Sequence, residues 1–306
     1  MKKMLLTVIL SVIVAYAADA QKSIFTESDM KAFSAVNISD EFVVTLKESE
    51  DYVLKTNIDE RIDSYVAAYV KDGVLYLDID RKKFTPELKK ALRNVHGKNP
   101  VIEAEISAPF LKSVVISGNA SITGSDDIKT DSFDLNASDK ASVANMEVIC
   151  KTAEIKVGKG AEVDVEVNAS SDLSFSSAGT SKSFINVKAN TLTIASTGSS
   201  VIEAVVDVAD MKVDNSGMSN VKLVSGKTGS LQVDASGSAK FNSADVVIPT
   251  AYMIQSGSSK SLVNVTDTLK VNLVGNSTLE FKENPYIDLE RVVSSTLTRY
   301  SESSSK

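Results

Sequence analysis

The chain has no tryptophan, one cysteine and one histidine. Cys150 has no second thiol to meet, so an internal disulfide and any metal site needing paired cysteines are excluded. Its run, Met146 to Cys150, reads as a strand with the thiol buried as a small apolar group. A Ser-His-Asp or Cys-His device would have to use His96, and nothing marks a nucleophile for it. Arginine is absent from Asn94 through Glu290, which counts against an acidic polysaccharide substrate, whose carboxylates arginine usually clamps. No P-loop, G-x-G-x-x-G, G-x-S-x-G or calcium nonapeptide occurs. The sequence therefore leads to the expectation of no catalytic residue, no cofactor and no metal.

What is present in quantity is a repeat. Nine units of about 20 residues run from Val114 to Leu279. Each reads apolar-x-apolar, then a polar turn usually holding Gly and Ser, then a third apolar residue. The first slot is Val114, Phe133, Ala153, Leu173, Leu192, Met211, Leu231, Tyr252 and Leu269. The second, two residues on, is Ile116, Leu135, Ile155, Phe175, Ile194, Val213, Val233, Ile254 and Val271. The third is Ile122, Val143, Val163, Phe184, Val201, Val221, Phe241, Leu262 and Leu279. Period-2 alternation inside a fixed period means a solenoid of strands.

Slots at i and i+2 face one way, and the residues between them face the other. Those between are Val115, Asp134, Glu154, Ser174, Thr193, Lys212, Gln232, Met253 and Lys270, mostly polar. The fold expected is all-β: a single-stranded right-handed parallel β-helix, three-sided, with coils of 19–20 residues. Gly179, Gly198, Gly217, Gly237 and Gly275 each stand four residues past the second slot, a column where every coil needs φ > 0. Other units place Ala120, Asp139, Lys159 or Ser258 there. The aromatics between Val114 and Gly275 are Phe133, Phe175, Phe184, Phe241 and Tyr252, and all five are expected inside. With them buried, the outer faces show Ser, Thr, Asn, Asp and Lys.

Both ends of such a rod need caps. Residues 21–110 form an irregular N-terminal part of one domain spanning 21–300, ahead of regular coils at 111–282 and a C-terminal cap at 283–300. A disordered tail at 301–306 is expected. Asp72-Gly73 signals a hairpin between two strands. One helix is expected over Pro86 to Val95, with Thr85 as N-cap, Pro86 first and Gly97 past the end. Leu88, Leu92 and Val95 form its apolar stripe. Lys89, Lys90 and Arg93 lie opposite, and His96 follows. This insertion, with Tyr52, Tyr65, Tyr69 and Tyr76 nearby, is the candidate contact region, because loops on a rigid scaffold usually carry recognition. A plain cap over the first coil is the simpler alternative.

The first 20 residues read as a secretory signal: Lys2 and Lys3, the apolar run Leu5 to Val14, then Ala18-Asp19-Ala20 as a cleavage site. That run is too short for a stable membrane span. No cysteine lies near the cleavage point, so no lipoprotein anchor is expected. Cleavage would take the formal charge one unit beyond −7. Such an acidic chain binds nucleic acid or anionic lipid poorly through bulk electrostatics.

Pectin-cleaving enzymes often use this fold, and glycoside hydrolysis needs a spaced carboxylate pair. The one doublet in the regular coils, Asp126-Asp127, follows Gly124 in a turn, where a solvated role fits better.

Phe33-x-x-Val-x-Ile38, Phe42 to Leu46, Asp72-Gly-Val-Leu-Tyr-Leu77, Val101 to Ile106 and Pro109-Phe-Leu-Lys-Ser-Val-Val-Ile-Ser-Gly118 form a series. It resembles the head GIN domain, the family labelled an auto-transporter adhesin and common in exported proteins of Bacteroidetes, from about Phe33 to Leu279. The resemblance implies a right-handed β-helix of small coils and an adhesin-like role, with no catalytic residue to carry over. The expected function is an exported, non-enzymatic surface or envelope protein in the periplasm or at the cell surface. Its rod would face a glycan, a surface protein or a second copy in a homo-oligomer. The rival reading from another class is a polysaccharide-active enzyme, and a third is an envelope accessory protein without a ligand.

Overall fold

The computed structural model describes residues 22–93 and 100–301. It is a β-helix in which the strands of the regular coils pair in parallel with strands about one coil away. Three of its inward columns run through most of the coils. One passes through Val36, Val114, Leu135, Ile155, Phe175, Ile194, Val213, Val233, Met253 and Val271. A second runs from Phe133 through Ala153, Leu173, Leu192, Met211, Leu231 and Ala251 to Leu269. The third runs from Val44 through Ile122, Val143, Val163, Ser183, Ile202, Val221, Phe241 and Ser261 to Leu279. Coils bury these faces only against neighbours, which is why the architecture propagates.

The inward assignment from sequence holds for most slots and fails at a few. Val114 pairs with Leu135, so the first unit's frame lies two residues off the one expected. In the eighth unit Ala251 and Met253 are buried, while Tyr252 and Ile254 lie on the outer face. In the third column Phe184, Val201 and Leu262 are also outside; Ser183, Ile202 and Ser261 take the inward places. The reason is one of size. A corner-proximal serine or alanine fits the interior as well as a large residue does, so apolarity alone does not set the phase of a unit.

The corner column is as expected in kind. Gly118 and Gly257, instead of Ala120 and Ser258, take the positive φ there, as Asp139 and Lys159 do in their coils. After it comes a column of fully buried small residues: Ala120, Ala141, Ala161, Ser181, Ser200, Ser219, Ala239, Ser259 and Ser277. Several of these serines are tied down. Ser181 Oγ donates to the Ala178 carbonyl at 2.8 Å, and Ser200 Oγ to that of Thr197 at 2.9 Å. Ser196 and Ser200 share a further hydroxyl bond of 2.9 Å.

At the N-terminal end the chain order departs from the spatial order. Strands Ala35–Ile38 and Val43–Glu48 make the first coil, and each is sandwiched. Ala35–Ile38 lies between Val74–Ile79 and Ser113–Ile116. Val43–Glu48 lies between Ile102–Ala108 and Ser121–Gly124. Residues 49–112 thus leave the coil, cover it and return. The outermost strands of this cover, Ser23–Asp29 and Val66–Lys71, run antiparallel to their neighbours. Asp72 and Gly73 make the expected hairpin turn with φ of 52° and 76°. The helix Pro86–Arg93 begins as expected, the Leu88 amide donating to Thr85 Oγ1 at 3.2 Å. The expected signal at 1–20, the residues Asn94 and Val95 expected to end the helix, and the expected tail beyond Ser301 lie outside the described residues.

Candidate functional site

The inserted helix roofs a cleft of about 950 Å³ against the flank of the first coils. Its apolar lining includes Val43, Phe84, Leu92, Val101 and Ile102, and its charged lining is Glu41, Arg81, Lys89 and Glu103. Val43 is 54% exposed although its chain neighbours Phe42 and Val44 are buried, because strand alternation turns it outward into the cleft. Phe84 is buried under the start of the helix, edge-on to Tyr65 with centroids 4.9 Å apart. The Arg81 guanidinium lies 5.7 Å from the Phe84 ring centre.

Arg81 anchors this arrangement. Its Nε donates to Asp40 Oδ1 at 2.8 Å and its Nη2 to Glu41, tying the turn before the helix to the corner of the first coil. Burial would lower the Arg81 pKa, but the two carboxylates outweigh it and raise it. Burial pushes the Asp40 carboxyl above the usual range despite Arg81, and Asp78 adds to the rise. Asp40 also accepts from the Ile79 amide at 3.0 Å.

Of the residues singled out from sequence, Lys89 lines the cleft. Lys90 is exposed and lies outside the lining. The Arg93 side chain and His96 fall outside the described residues. Arg81, Glu41, Val43 and Glu103 were not anticipated. Arg81 left a trace, being one of the few arginines and standing five residues before the helix start. Val43 left none, because its outward turn depends on the phase of its coil. Tyr52 packs edge-on to Phe33 at 5.2 Å, so it is structural. Tyr69 and Tyr76 stack on the hairpin at 5.1 Å, and Tyr69 is 47% exposed.

A second, open groove of about 420 Å³ runs along the outer face of the coils. It holds Phe184 and Val201, expected inside but exposed, with Asp164 and Glu203 flanking Phe184 in register. Lys182 pairs with Glu162 there at 3.1 Å. The Asp126-Asp127 doublet has a different role. Asp126 Oδ2 accepts from the Glu48 amide at 3.0 Å and from Ser125 Oγ at 3.2 Å, fastening one coil to the next. Asp127 faces Glu147, whose carboxyl it raises. Cys150 is buried, and burial alone pushes its thiol upward. No cluster of potential metal ligands occurs among the described residues.

The model of the family described as "Putative auto-transporter adhesin, head GIN domain" matches residues 32–164 and again 148–285. The chain belongs to this family. Two successive matches are what a head GIN solenoid of like coils gives, since any run of several coils resembles the next. No curated protein matches the chain. It is similar to a solved "putative adhesin" from Parabacteroides merdae at 17% identity over 90% of this chain and 95% of that one, with a TM-score of 0.43. A "putative adhesin" from Parabacteroides distasonis is 15% identical over 91% and 97%, with a TM-score of 0.48. A "Putative lipid binding protein" from the same organism is 15% identical over 90% and 96%, with a TM-score of 0.49.

Proposed function

We propose that this head GIN protein is an exported, non-enzymatic adhesin-like protein of the cell surface or periplasm. In this reading residues 1–20 direct export, and the cleft beneath the inserted helix contacts a surface glycan or protein. The observation that carries it is the cleft itself, where exposed Val43 and buried Phe84 adjoin Arg81, Lys89, Glu41 and Glu103 on a fixed scaffold. Apolar floor with a charged rim is the pattern of a recognition surface. Family membership supports the adhesin-like role, and no helix among the described residues is long and apolar enough to cross a membrane. The coil surface by contrast shows mostly small polar side chains, which make poor anchors.

The test is binding of residues 21–306 to arrays of bacterial and host glycans and to candidate surface proteins. Each is repeated with Lys89→Glu and with Val43→Asp, both exposed in the cleft. Binding that either change reduces at least about tenfold supports the reading, that being the loss of one good contact. Binding indifferent to both overturns the assignment of the cleft. Cleavage of any polysaccharide, lost in Asp126→Asn or Asp127→Asn, would overturn the non-enzymatic reading.

A further inference from the structure

The two ends of the rod are finished differently. The N-terminal end is covered by antiparallel strands, whereas the last described coil, strands Tyr286–Val293 and Thr296–Arg299, stacks on one neighbour only among the described residues. Its inward positions continue the core columns: Ile287 follows Leu269, Leu289 follows Val271 and Val292 follows Leu273. Leu289 is 57% exposed and Val292 40%, because no further coil covers them among the described residues. Tyr286 and Val293, at the ends of the same strand, are 73% and 47% exposed. An open strand edge with an apolar face is a template for another strand.

The sequence of this edge is complementary to itself. Leu289 pairs with Val271 but Arg291 with Asn272, so Glu290 is an extra residue and the strand carries a bulge at 289–290. The bulge reverses the alternation, so that Asp288 and Arg291 share the outer face while Ile287 and Val292 share the inner one. Run a second copy antiparallel about a two-fold axis through the bulge. Asp288 then stands opposite Arg291 of the second copy, Ile287 opposite Val292, and Tyr286 opposite Val293, each pair on one face. Directly opposed side chains in an antiparallel pair must share a face; a straight strand would have failed this at every pair, whereas here only the bulge residues at the axis, Leu289 and Glu290, face apart. Among the described residues no ion pair engages Arg291, while Glu290 is held by Lys270 of the preceding coil at 2.6 Å.

We propose that two copies of this chain join end to end through Tyr286–Val293, continuing one hydrophobic core across a two-fold axis. A closed two-copy assembly follows, because a self-complementary edge is used up once paired. The two copies would present their N-terminal clefts at opposite ends of a doubled rod.

Sedimentation of residues 21–306, from about 1 to 100 µM, tests this in the range of a modest interface. The expected result is a monomer and a two-copy species in concentration-dependent exchange. Leu289→Asp should weaken the association at least about tenfold, the cost of an unpaired charge in its middle. Val247→Asp, at a similarly exposed valine on the side of the rod, should leave it unchanged. Asp288→Arg and Arg291→Asp should each weaken it, and the double exchange should restore it. All three positions are exposed, so folding is preserved and each variant's melting curve confirms that. A monomer at every concentration overturns the proposal. So does association indifferent to Leu289→Asp, a double exchange that fails to restore, or a series of ever larger species, which would mean head-to-tail joining.

Discussion

Gly198 stands over Gly179 at the corner of successive coils, so closely that a Cβ on Gly198 would lie 2.9 Å from the Gly179 carbonyl oxygen. Both have φ near +75°. Gly198→Ala therefore adds a backbone clash to left-handed strain and should cost roughly 2–4 kcal/mol, above the 1–2 of the strain alone. Gly73 has the same φ of +76° but nothing within 4 Å of such a Cβ. Gly73→Ala should show only the smaller cost. Urea denaturation of the two variants separates the terms, and equal losses would remove stacking from the account.

Ile194 and Thr193 are neighbours on opposite faces of one strand, Ile194 fully buried and Thr193 partly exposed. Ile194→Asp places a charge among Phe175, Val213 and the other inward residues with no partner, and should cost about 3–5 kcal/mol or prevent folding. Thr193→Asp should stay within about 0.5 kcal/mol. Comparable losses for both would mean that the inward and outward faces are wrongly assigned.

The β-helix was legible because period-2 alternation and a near-constant repeat are written along the whole chain. Gly179 through Gly275 mark a real corner, and Phe133, Phe175 and Phe241 are the core residues they looked to be. What misled was the assumption that the larger apolar residue of a unit points inward. Phe184 and Tyr252 lie outside because Ser183 and Ala251 fill their columns, and a buried serine looks like a surface residue when read alone. The cleft was legible only in part. Thr85-Pro86 announced the helix, but Val43 and Arg81 meet it through a chain path that leaves the first coil and returns, and no local pattern records that path.

The buried serine column offers a test of polar satisfaction inside a β-helix. Ser219 Oγ donates to the Ser216 carbonyl at 2.6 Å and to that of Ser196 at 3.2 Å. Ser259 Oγ occupies the same column one coil past Ala239 and has no hydrogen-bond partner among the described residues. Ser219→Ala should cost about 1 kcal/mol, whereas Ser259→Ala should be neutral or stabilising by up to about 1 kcal/mol. Chemical denaturation reads both, and a loss at Ser259 equal to that at Ser219 would refute the distinction.

Glu105 predicts a specific pH dependence. Its hydrogen bond from Lys47, at 2.5 Å, holds the carboxyl below the ordinary glutamate value of 4.5, with partial burial opposing. A carboxyl depressed in the folded state adds stability above that ordinary value and loses it as pH falls through the depressed one. Lys47→Met should therefore lower stability at pH 7, by no more than about 0.5 kcal/mol because the pair is partly solvated. The difference from the parent should vanish once the pH lies below both values. A difference that persists in acid would assign the effect to lost packing of the lysine stem.

The inserted helix decides between a cap and a contact element. Among the described residues it gives the core only Leu88 and Leu92, both partly buried, and it pairs with no strand. Apart from Phe84, which lies under the start of the helix, the layer beneath is held by other elements: Val74–Ile79 and Ile102–Ala108 cover the first coil through backbone bonds. Replacing Pro86 to Val95 by a short Gly-Ser linker should thus lower the melting temperature only slightly, by the few degrees that about 1 kcal/mol represents in a domain of this size. Binding measured on the arrays should be lost in the same variant, since the cleft loses its roof and Lys89. A large fall in melting temperature with aggregation would instead make the helix a cap over the first coil. If stability and binding both survive, the helix is neither, and recognition must be sought along the groove that holds Phe184.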